Sequence, residues 1–427
     1  MQPRVLTGVL RRAGADALLV VGTSSRDPDL LPFTGEARLD HCFVVARPDG
    51  ARWLGYHSPI EREEAARSGL PLLDPATLRA GEPLPGGDRP GARLARSVGI
   101  ALRAAKIRGR RIALGGRYPN GELTLALAGL RRQGFSFVSG HDALLRLRRP
   151  KAAAELAEMQ VVAAGTAAAM RRVARVLVES EPARGTARRS TAARSRRNGG
   201  TALAELRWRG EALTVATLRR EVAITFAAAG LEEPEGNLIA PGREGAVPHN
   251  TGDPASVLHA HESLIVDLFP RRRLFADCTR TFCVGEPPPE LAAAHGAVLA
   301  ALSLARKRAR PGVRGFAIQE EVCRHFESLG HPTLLGRPGT TSGYVHGLGH
   351  GVGFEVHELP HFRAAGEDGD GAIERGDVFT LEPGLYDPER GWAVRLEDLC
   401  HLGARGLENL TPLPYDLDPR AWPLDGG

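Results

Sequence analysis

The sequence predicts a chain of mixed α and β structure that folds as two domains. Its 427 residues are too many for one ordinary domain and enough to bury two hydrophobic cores. The first half alternates apolar strand-like runs (ALLVVG, CFVVAR, RIALGG) with helical stretches such as LTLALAGLRRQG, which is typical of an α/β domain. The second half combines long amphipathic helices with strands that carry polar residues, which favours an α+β domain.

The domain boundary is expected near residue 150, in the run RLRRPKAAAELAEM. There Pro150 precedes the long apolar-periodic helix AAELAEMQVVAAGTAAAMRRVARVLVE. Residues 1–150 should therefore form the smaller domain and residues 151–427 the larger one. The later helical stretches TVATLRREVAITFAAAG and ELAAAHGAVLAALSLARKRARPG are expected to cover one face of a curved antiparallel sheet.

Composition argues against a membrane or secreted protein. No apolar run approaches the ~20 residues needed to span a bilayer. The opening run MQPRVLTGVLRRAGADALLVVG has charges that interrupt any signal-peptide core. The 5 cysteines are scattered and odd in number, so we expect reduced thiols and a cytoplasmic location.

The most concentrated patch of arginines lies in an insertion, residues 181–212, that begins EPARGTARRSTAARSRRNGG. A nucleic-acid interface would need aromatic residues among the arginines, and only Ala, Ser, Thr and Gly stand between them. The composition instead predicts a mobile, solvated loop. Neither a nucleic-acid nor a membrane partner is expected.

The run SLIVDLFPRRRLFADCTRTFCV, residues 263–284, predicts a β-hairpin. A turn centred on Arg272 would place Asp267 opposite Asp277 on the same face. Paired carboxylates repel each other, and a divalent cation would relieve that repulsion. The alternative is an edge hairpin with two solvated aspartates, which fits poorly with the apolar flanks SLIV and TFCV.

Three histidines follow in YVHGLGHGVGFEVHELP, residues 344–360. His346 and His350 have helical spacing, but four glycines among them make a helix costly. We expect a glycine-rich turn and then a short strand, GFEVHE, on which Glu355 and His357 face the cleft that His350 enters. A lone histidine is most often structural, whereas three beside a carboxylate hairpin indicate a site.

Two glutamates complete the set, in GDVFTLEPGLY and AVRLEDL. Strand periodicity places Glu382 on one face with Thr380, and Glu397 on one face with Arg395. The chain thus offers four carboxylates and one imidazole, which suit Mn, Co, Fe or Zn better than a closed structural zinc site. Two ions about 3.5–4 Å apart can activate a shared water and polarise a carbonyl.

These motifs, DLFP…FADCTRTF, HGLGHGVGFEVHE, TLEPGLY and VRLEDL, resemble those of the pita-bread metallopeptidase family that includes methionine aminopeptidase, prolidase, aminopeptidase P and creatinase. The run SRDPDLLPFTGEARLDHCFVVAR resembles the N-terminal domain that methionine aminopeptidases lack. The resemblance implies an α+β pita-bread catalytic domain, preceded by a smaller creatinase-like α/β domain. It also implies a homodimer.

The resemblance assigns the metal ligands. Asp267 would hold the first of two divalent ions, His350 and Glu382 the second, and Asp277 and Glu397 would bridge both. Manganese is the expected metal, with cobalt or zinc as alternatives.

The resemblance also assigns catalytic and substrate roles. Glu382 would serve as general base, and His357 would contact the scissile amide or its tetrahedral intermediate. His249, in AVPHNTG, matches a substrate-side histidine. His346 and Arg395 match positions around the cleft of the proline-specific members.

The sequence departs from the family pattern in two motifs. Asp267 and Asp277 are one residue closer than is usual, and Phe269 replaces a customary glycine, so a tighter turn is expected. Prolidases carry an arginine that grips the C-terminal carboxylate of the substrate. This chain has His361 there, so Arg363 and Arg395 are the candidate anchors.

The resemblance therefore implies an Xaa-Pro dipeptidase that acts on short proline-containing peptides. An Xaa-Pro aminopeptidase is the main alternative. A catalytically inactive scaffold of the same fold and a creatinase-like C–N hydrolase without metal are remoter alternatives, and the complete ligand set argues against both.

Overall fold

Two units make up the chain, Met1–Ala152 and Ala153–Gly427. The computed structural model describes residues 3–84, 89, 91–183, 203–362 and 371–424. Within these ranges, each helix is too short or too polar to cross a membrane.

The first unit is a mixed sheet between two layers of helices. Its strands are β1 (Ala17–Ser24), β2 (Asp40–Ala46), β3 (Arg52–Gly55), β4 (Leu72–Leu73), β5 (Arg111–Gly115) and β6 (Ser136–Ser139). Its helices are α1 (Pro3–Arg12), α2 (Leu31–Thr34), α3 (Arg62–Arg67), α4 (Ala92–Ala104), α5 (Asn120–Arg132) and α6 (His141–Arg148), with a 3-10 turn at Pro59–Glu61. The strand order is β4-β3-β2-β1-β5-β6.

Strand β1 lies at the centre of this sheet and is buried on both faces. Leu18 and Val20 pack in the core on one face, and Leu19 and Val21 pack in the core on the other. This burial explains why the run ALLVVG is apolar without interruption. β1 pairs antiparallel with β2 and parallel with β5, so the sheet is mixed.

The second unit is larger and, in its described residues, all its paired strands are antiparallel. Its helices are α7 (Ala153–Glu179), α8 (Val215–Ala228), α9 (Gly242–Gly245), α10 (Pro289–Arg308) and α11 (Gly315–Ser328), with a 3-10 turn at Pro419–Ala421. Its strands are β7 (Glu181–Pro182), β8 (Leu206–Trp208), β9 (Glu211–Ala212), β10 (Leu238–Pro241), β11 (Leu264–Leu268), β12 (Cys278–Phe282), β13 (His350–Gly351), β14 (Glu358–His361), β15 (Val378–Leu381), β16 (Gly384–Asp387), β17 (Trp392–Arg395), β18 (Asp398–Gly403) and β19 (Gly406–Asn409).

Four small sheets form the described part of this unit: β10-β11-β12, β14-β13-β15-β18-β19, β16-β17 and β7-β8-β9. Helices α10 and α11 pack against the sheets through one core cluster, in which Val298 and Val322 join Phe379 and Val394. The helices thus cover apolar strand residues, and the polar residues of the same strands are free to form a site.

The two ends of the arginine-rich insertion form the sheet β7-β8-β9. Pro182 pairs with Leu206, so the two ends of the insertion are held together. Residues 184–202, which include its arginine cluster, lie outside the described residues.

The pairing of β11 with β12 shows that the predicted hairpin register is wrong. Asp267 pairs with Thr279 and not with Asp277. The reason is that the connecting turn is centred one residue later than predicted, on Arg273 rather than Arg272. The pairing shifts by two residues, so Asp267 and Asp277 remain on the same face.

The predicted strand GFEVHE is also wrong. Residues 353–357 form successive bends, and β14 begins only at Glu358. Hydrogen bonds explain this, because the Gly353 N–H donates to the Glu355 carbonyl at 3.0 Å and the Gly353 carbonyl accepts from Phe275. The backbone of this segment therefore bonds within itself and to the β11–β12 loop instead of to a parallel or antiparallel strand.

Candidate metal centre

Strand ends carry the five predicted metal ligands to one place. Asp267 lies in β11, and Asp277 directly precedes β12. His350 begins β13, Glu382 directly follows β15, and Glu397 lies in the break between β17 and β18. Strand periodicity predicted the neighbourhood of both glutamates, although both strands end before reaching them.

Three of these residues form a tight, buried cluster. One ligand atom from each of Asp277, His350 and Glu397 lies within 4.8 Å of the other two. His350 Nε2 is 3.8 Å from an Asp277 oxygen and 3.4 Å from Glu382 Oε1, which brings the fourth ligand to the same imidazole.

The carboxyl groups strongly perturb one another. Burial, then the charges of Glu397 and Asp267, raises the pKa of Asp277 well above its ordinary value. Burial and Glu397 do the same to the pKa of Glu382. Burial and Asp267 raise the pKa of Glu397 to about 8. Without a cation, these groups would retain protons near neutral pH.

His350 presents a nitrogen lone pair to the carboxylates. Its Nδ1 lies 3.2 Å from the Gly351 carbonyl, which places the proton on Nδ1 and leaves Nε2 as an acceptor. Burial, then the neighbouring His357, lowers the pKa of His350 to about 3, so the imidazole is neutral. This is the form that binds a metal.

The backbone is packed so closely at Gly349 and Gly351, on either side of His350, that neither position has room for a side chain. A Cβ on Gly349 would lie 2.0 Å from the Thr380 carbonyl oxygen, and one on Gly351 would lie 2.0 Å from that of Leu359. A side chain at either position would push the His350 backbone off the strands that hold it. This close packing confirms a turn-and-strand structure here rather than a helix.

The cluster fits a divalent metal. Asp267 Oδ1 and Asp277 Oδ1 are buried and have no hydrogen-bond partner among the described residues. Leaving such atoms unpaired is costly. A cation would pair with both, and an oxygen-rich set with one imidazole suits a divalent transition metal.

A second network positions Asp267. The buried Arg395 donates to Asp267 Oδ2 at 2.6 Å, to the Tyr386 hydroxyl at 3.0 Å and to Thr279 Oγ1 at 3.2 Å. Burial opposes its charge, but Tyr386 and Asp267 raise the pKa of Arg395 well above its ordinary value. Arg395 therefore stays charged and holds one oxygen of Asp267.

His346 closes this network as a neutral acceptor. Its Nε2 is 2.9 Å from the Tyr386 hydroxyl, and its Nδ1 is 2.8 Å from the Gly347 carbonyl. Burial, then the charge of Arg395, lowers the pKa of His346 to about 3. The Tyr386 hydroxyl thus accepts from Arg395 and donates to His346.

The remaining predicted residues lie around the cluster or outside the described chain. His357 is exposed, and its ring centroid is 4.1 Å from that of His350. His249 is exposed beside Pro248, whose carbonyl is 3.4 Å from Arg395 Nη1. Arg363 lies outside the described residues.

Sequence reasoning missed Tyr386 and Thr279. Thr279 Oγ1 donates to Glu397 Oε2 at 2.6 Å, so it orients a predicted bridging ligand. Both residues stand in the quoted motifs at even spacing from a ligand, Tyr386 four residues after Glu382 and Thr279 two after Asp277. Even spacing from a ligand along the chain was the signal that could have indicated them.

The fold and this cluster are those of a metallopeptidase family. The chain belongs to metallopeptidase family M24, whose sequence profile matches residues 157–404. It is 30% identical over 190 residues to an Xaa-Pro dipeptidase from Pyrococcus furiosus, a match that covers 44% of this chain and 51% of that protein. The chain thus spans about half the length of the curated relatives it matches.

Solved structures extend the similarity to both units. The prolidase from Pyrococcus horikoshii superposes with a TM-score of 0.70 at 19% identity, covering 97% of this chain and 99% of that one. The X-Pro aminopeptidase from Thermotoga maritima gives 0.69 at 20% identity, with coverage of 96% and 99%. The predicted pita-bread fold is confirmed.

Proposed function

We propose that this chain is a two-metal Xaa-Pro dipeptidase that hydrolyses the bond before proline in short peptides. The observation that carries the proposal is the buried cluster of Asp277, Glu397 and the neutral His350, next to which Asp267 interacts with Asp277. Asp267 and Asp277 each present an oxygen that has no hydrogen-bond partner among the described residues. The similarity to an Xaa-Pro dipeptidase supports the choice of substrate.

We assign the first metal to Asp267 and the second to His350 and Glu382, with Asp277 and Glu397 shared. When bound, two divalent ions would polarise the scissile carbonyl and lower the pKa of a water toward ~7. Manganese is proposed because four of the five ligands are carboxylates, and cobalt or zinc are alternatives.

Glu382 and His357 have the exposure that proton transfer requires. The side chain of Glu382 is 17% exposed, whereas Glu397 is only 2% exposed, so Glu382 is the glutamate that a water can reach. It accepts the proton as general base. His357 is exposed beside His350 and donates to the developing oxyanion or to the leaving nitrogen.

The network behind Asp267 has a positioning role. All three side-chain nitrogens of Arg395 already donate hydrogen bonds, to Thr279, Tyr386 and Asp267. This favours a role for Arg395 in positioning Asp267 over direct binding of the substrate carboxylate. Arg363 remains the proposed carboxylate anchor, since a guanidinium fork matches both oxygens. His249 and His346 are assigned to the substrate side of the cleft.

A panel of peptides tests the proposal. Chelated protein should hydrolyse Xaa-Pro dipeptides only after Mn²⁺ or Co²⁺ is added back, and Xaa-Pro-Yaa tripeptides should be poor substrates. Arg363→Ala should raise KM for dipeptides and leave metal binding unchanged. Efficient cleavage of tripeptides, with Arg363→Ala indistinguishable from the parent, would establish the second candidate, an Xaa-Pro aminopeptidase, which the similarity to the Thermotoga maritima enzyme favours.

Failure to cleave any peptide with any metal would point to the inactive scaffold. We also place the protein in the cytoplasm as a homodimer. The location is supported by five free, buried cysteines, as a reducing compartment allows. The dimer is supported by family resemblance and is tested by light scattering of the purified protein.

A further inference from the structure

We propose that Glu158 is a positioning residue for the proposed metal centre. It fixes the loop 269–277, which joins the two aspartates, and thereby strengthens metal binding. This inference rests on the proposed function, because it concerns the affinity of the same centre. Glu158 lies in helix α7, is not one of the five proposed metal ligands and belongs to none of the motifs that carry them.

Glu158 makes a full set of contacts with the tip of the loop. From helix α7, its Oε1 accepts from the backbone N–H groups of Arg273 at 2.9 Å and of Leu274 at 3.2 Å. Its Oε2 accepts from Arg273 Nε at 3.2 Å and Nη2 at 2.9 Å. The side chain is 18% exposed, so these four bonds are largely shielded from solvent.

The tip of the loop determines the register of the two strands that carry the aspartates. With the turn centred on Arg273, Asp267 pairs with Thr279. A slip of one residue would turn every side chain of one strand to the opposite face. Glu158 accepts hydrogen bonds from two backbone N–H groups at the centre of this turn. The carboxylate therefore stabilises the observed register.

The loop also contacts the histidine segment. The Phe275 N–H, on the arm that returns to Asp277, donates to the Gly353 carbonyl at 2.8 Å. Gly353 lies between His350 and His357 in the chain. A displaced tip would therefore disturb Asp277 directly and the histidine segment through one backbone bond.

Both side-chain oxygens of Glu158 accept hydrogen bonds, so residue 158 must offer two acceptor atoms. Gln has the shape of Glu, but its amide nitrogen is a donor and cannot accept from an N–H group. Glu158→Gln therefore places a donor against two donors, whichever way the amide is turned. The substitution changes the hydrogen bonding of the loop and leaves all five proposed ligands intact.

The matched control is Glu221→Gln. Glu221 accepts from Arg172 Nε at 3.1 Å and Nη2 at 2.6 Å, and its side chain is 11% exposed. This pair joins α7 to α8 and does not contact the loop. Both variants thus remove a carboxylate that binds an arginine of the same unit.

The experiment titrates chelated protein with Mn²⁺ by calorimetry and with Co²⁺ by visible absorption. Glu158→Gln should weaken metal binding by about 10- to 100-fold, because residues that hold metal ligands in place contribute this much to metal affinity. It should also alter the cobalt spectrum, because the aspartates would be held in a different arrangement. Peptide hydrolysis should recover at high metal concentration with an unchanged KM for the peptide. Glu221→Gln should bind metal like the parent.

Equal metal affinity in Glu158→Gln and the parent, or an equal loss in Glu221→Gln, would overturn the inference. If Glu158→Gln does not fold, Arg273→Met removes only the side-chain half of the contact. It should weaken metal binding in the same direction, and unchanged binding would again overturn the inference. A parent that binds no divalent metal would instead refute the proposed function.

Discussion

Arg395 Nη2 donates to Asp267 Oδ2 at 2.6 Å, while Asp267 Oδ1 is buried without a hydrogen-bond partner among the described residues. The protein therefore holds one oxygen of this carboxylate and presents the other. Tyr386 and His346 extend the contact, because the tyrosine hydroxyl joins Arg395 to a neutral imidazole. A fixed carboxylate needs less reorganisation when it binds a cation.

Replacing Arg395 tests how strongly this pair contributes to stability. Arg395→Met should lower the free energy of unfolding of the chelated protein by about 3–5 kcal/mol, because it leaves a buried carboxylate without its partner. Added metal should recover part of this loss. The measurement is denaturant unfolding followed by tryptophan fluorescence.

Arg420→Met is the control for that experiment, since Arg420 pairs with Asp418 at the surface. Arg420→Met should lower the free energy of unfolding by no more than about 1 kcal/mol. An equal loss of unfolding free energy in the two variants would show that the buried pair of Arg395 and Asp267 stabilises the protein no more than a surface pair does.

The crowded carboxyls predict how the metal-free protein responds to pH. The pKa of Glu397 rises from 4.5 to about 8 on folding, so the folded state binds more protons than the unfolded state between these values. The stabilisation is fully present below pH 4.5 and is lost as pH rises to about 8. Buried, neutral His346 and His350 act in the opposite sense up to pH 6.5. The melting temperature of chelated protein should therefore fall between pH 6.5 and about 8, and metal binding should release protons and tighten with pH.

Glu397→Gln supplies the matched variant for the pH experiment. It removes one of the titrating groups, so its melting temperature should depend less steeply on pH over the same range. A chelated parent that becomes more stable from pH 6.5 to 8 would contradict the arrangement of carboxyls described above.

The arginine-rich insertion should be dispensable for catalysis. Because Pro182 pairs with Leu206, the ends of the segment stay together whatever connects them. Replacing residues 184–197 with a short Gly/Ser linker should leave dipeptide hydrolysis and the melting temperature largely unchanged, since loop length affects stability weakly. A large loss of kcat at an unchanged melting temperature would show that the segment reaches the active site.

The sequence predicted the family, the pita-bread fold and the segments that carry the site, because each segment has a local pattern. Alternation placed Asp267 and Asp277 on one face, and the glycines around His350 argued correctly against a helix. These features depend on residues within a few positions of one another. Local patterns of this kind can be identified without coordinates.

What the sequence did not predict depends on distant contacts. The turn that centres the hairpin on Arg273 is bound by Glu158, which is 115 residues away in the chain, and no local pattern indicates that contact. The bends at 353–357 likewise follow from a bond to the β11–β12 loop. Tyr386 and Thr279 matter through hydrogen bonds to other strands.

The metal content of active protein tests the central claim most directly. Chelated protein should be inactive, and after Mn²⁺ is restored elemental analysis should find about two ions per chain together with hydrolysis of an Xaa-Pro dipeptide. Asp277→Asn and Glu397→Gln should fold, bind less metal and be nearly inactive, because each removes a charge that both ions share. Full hydrolysis by samples in which elemental analysis finds no divalent metal would contradict the account.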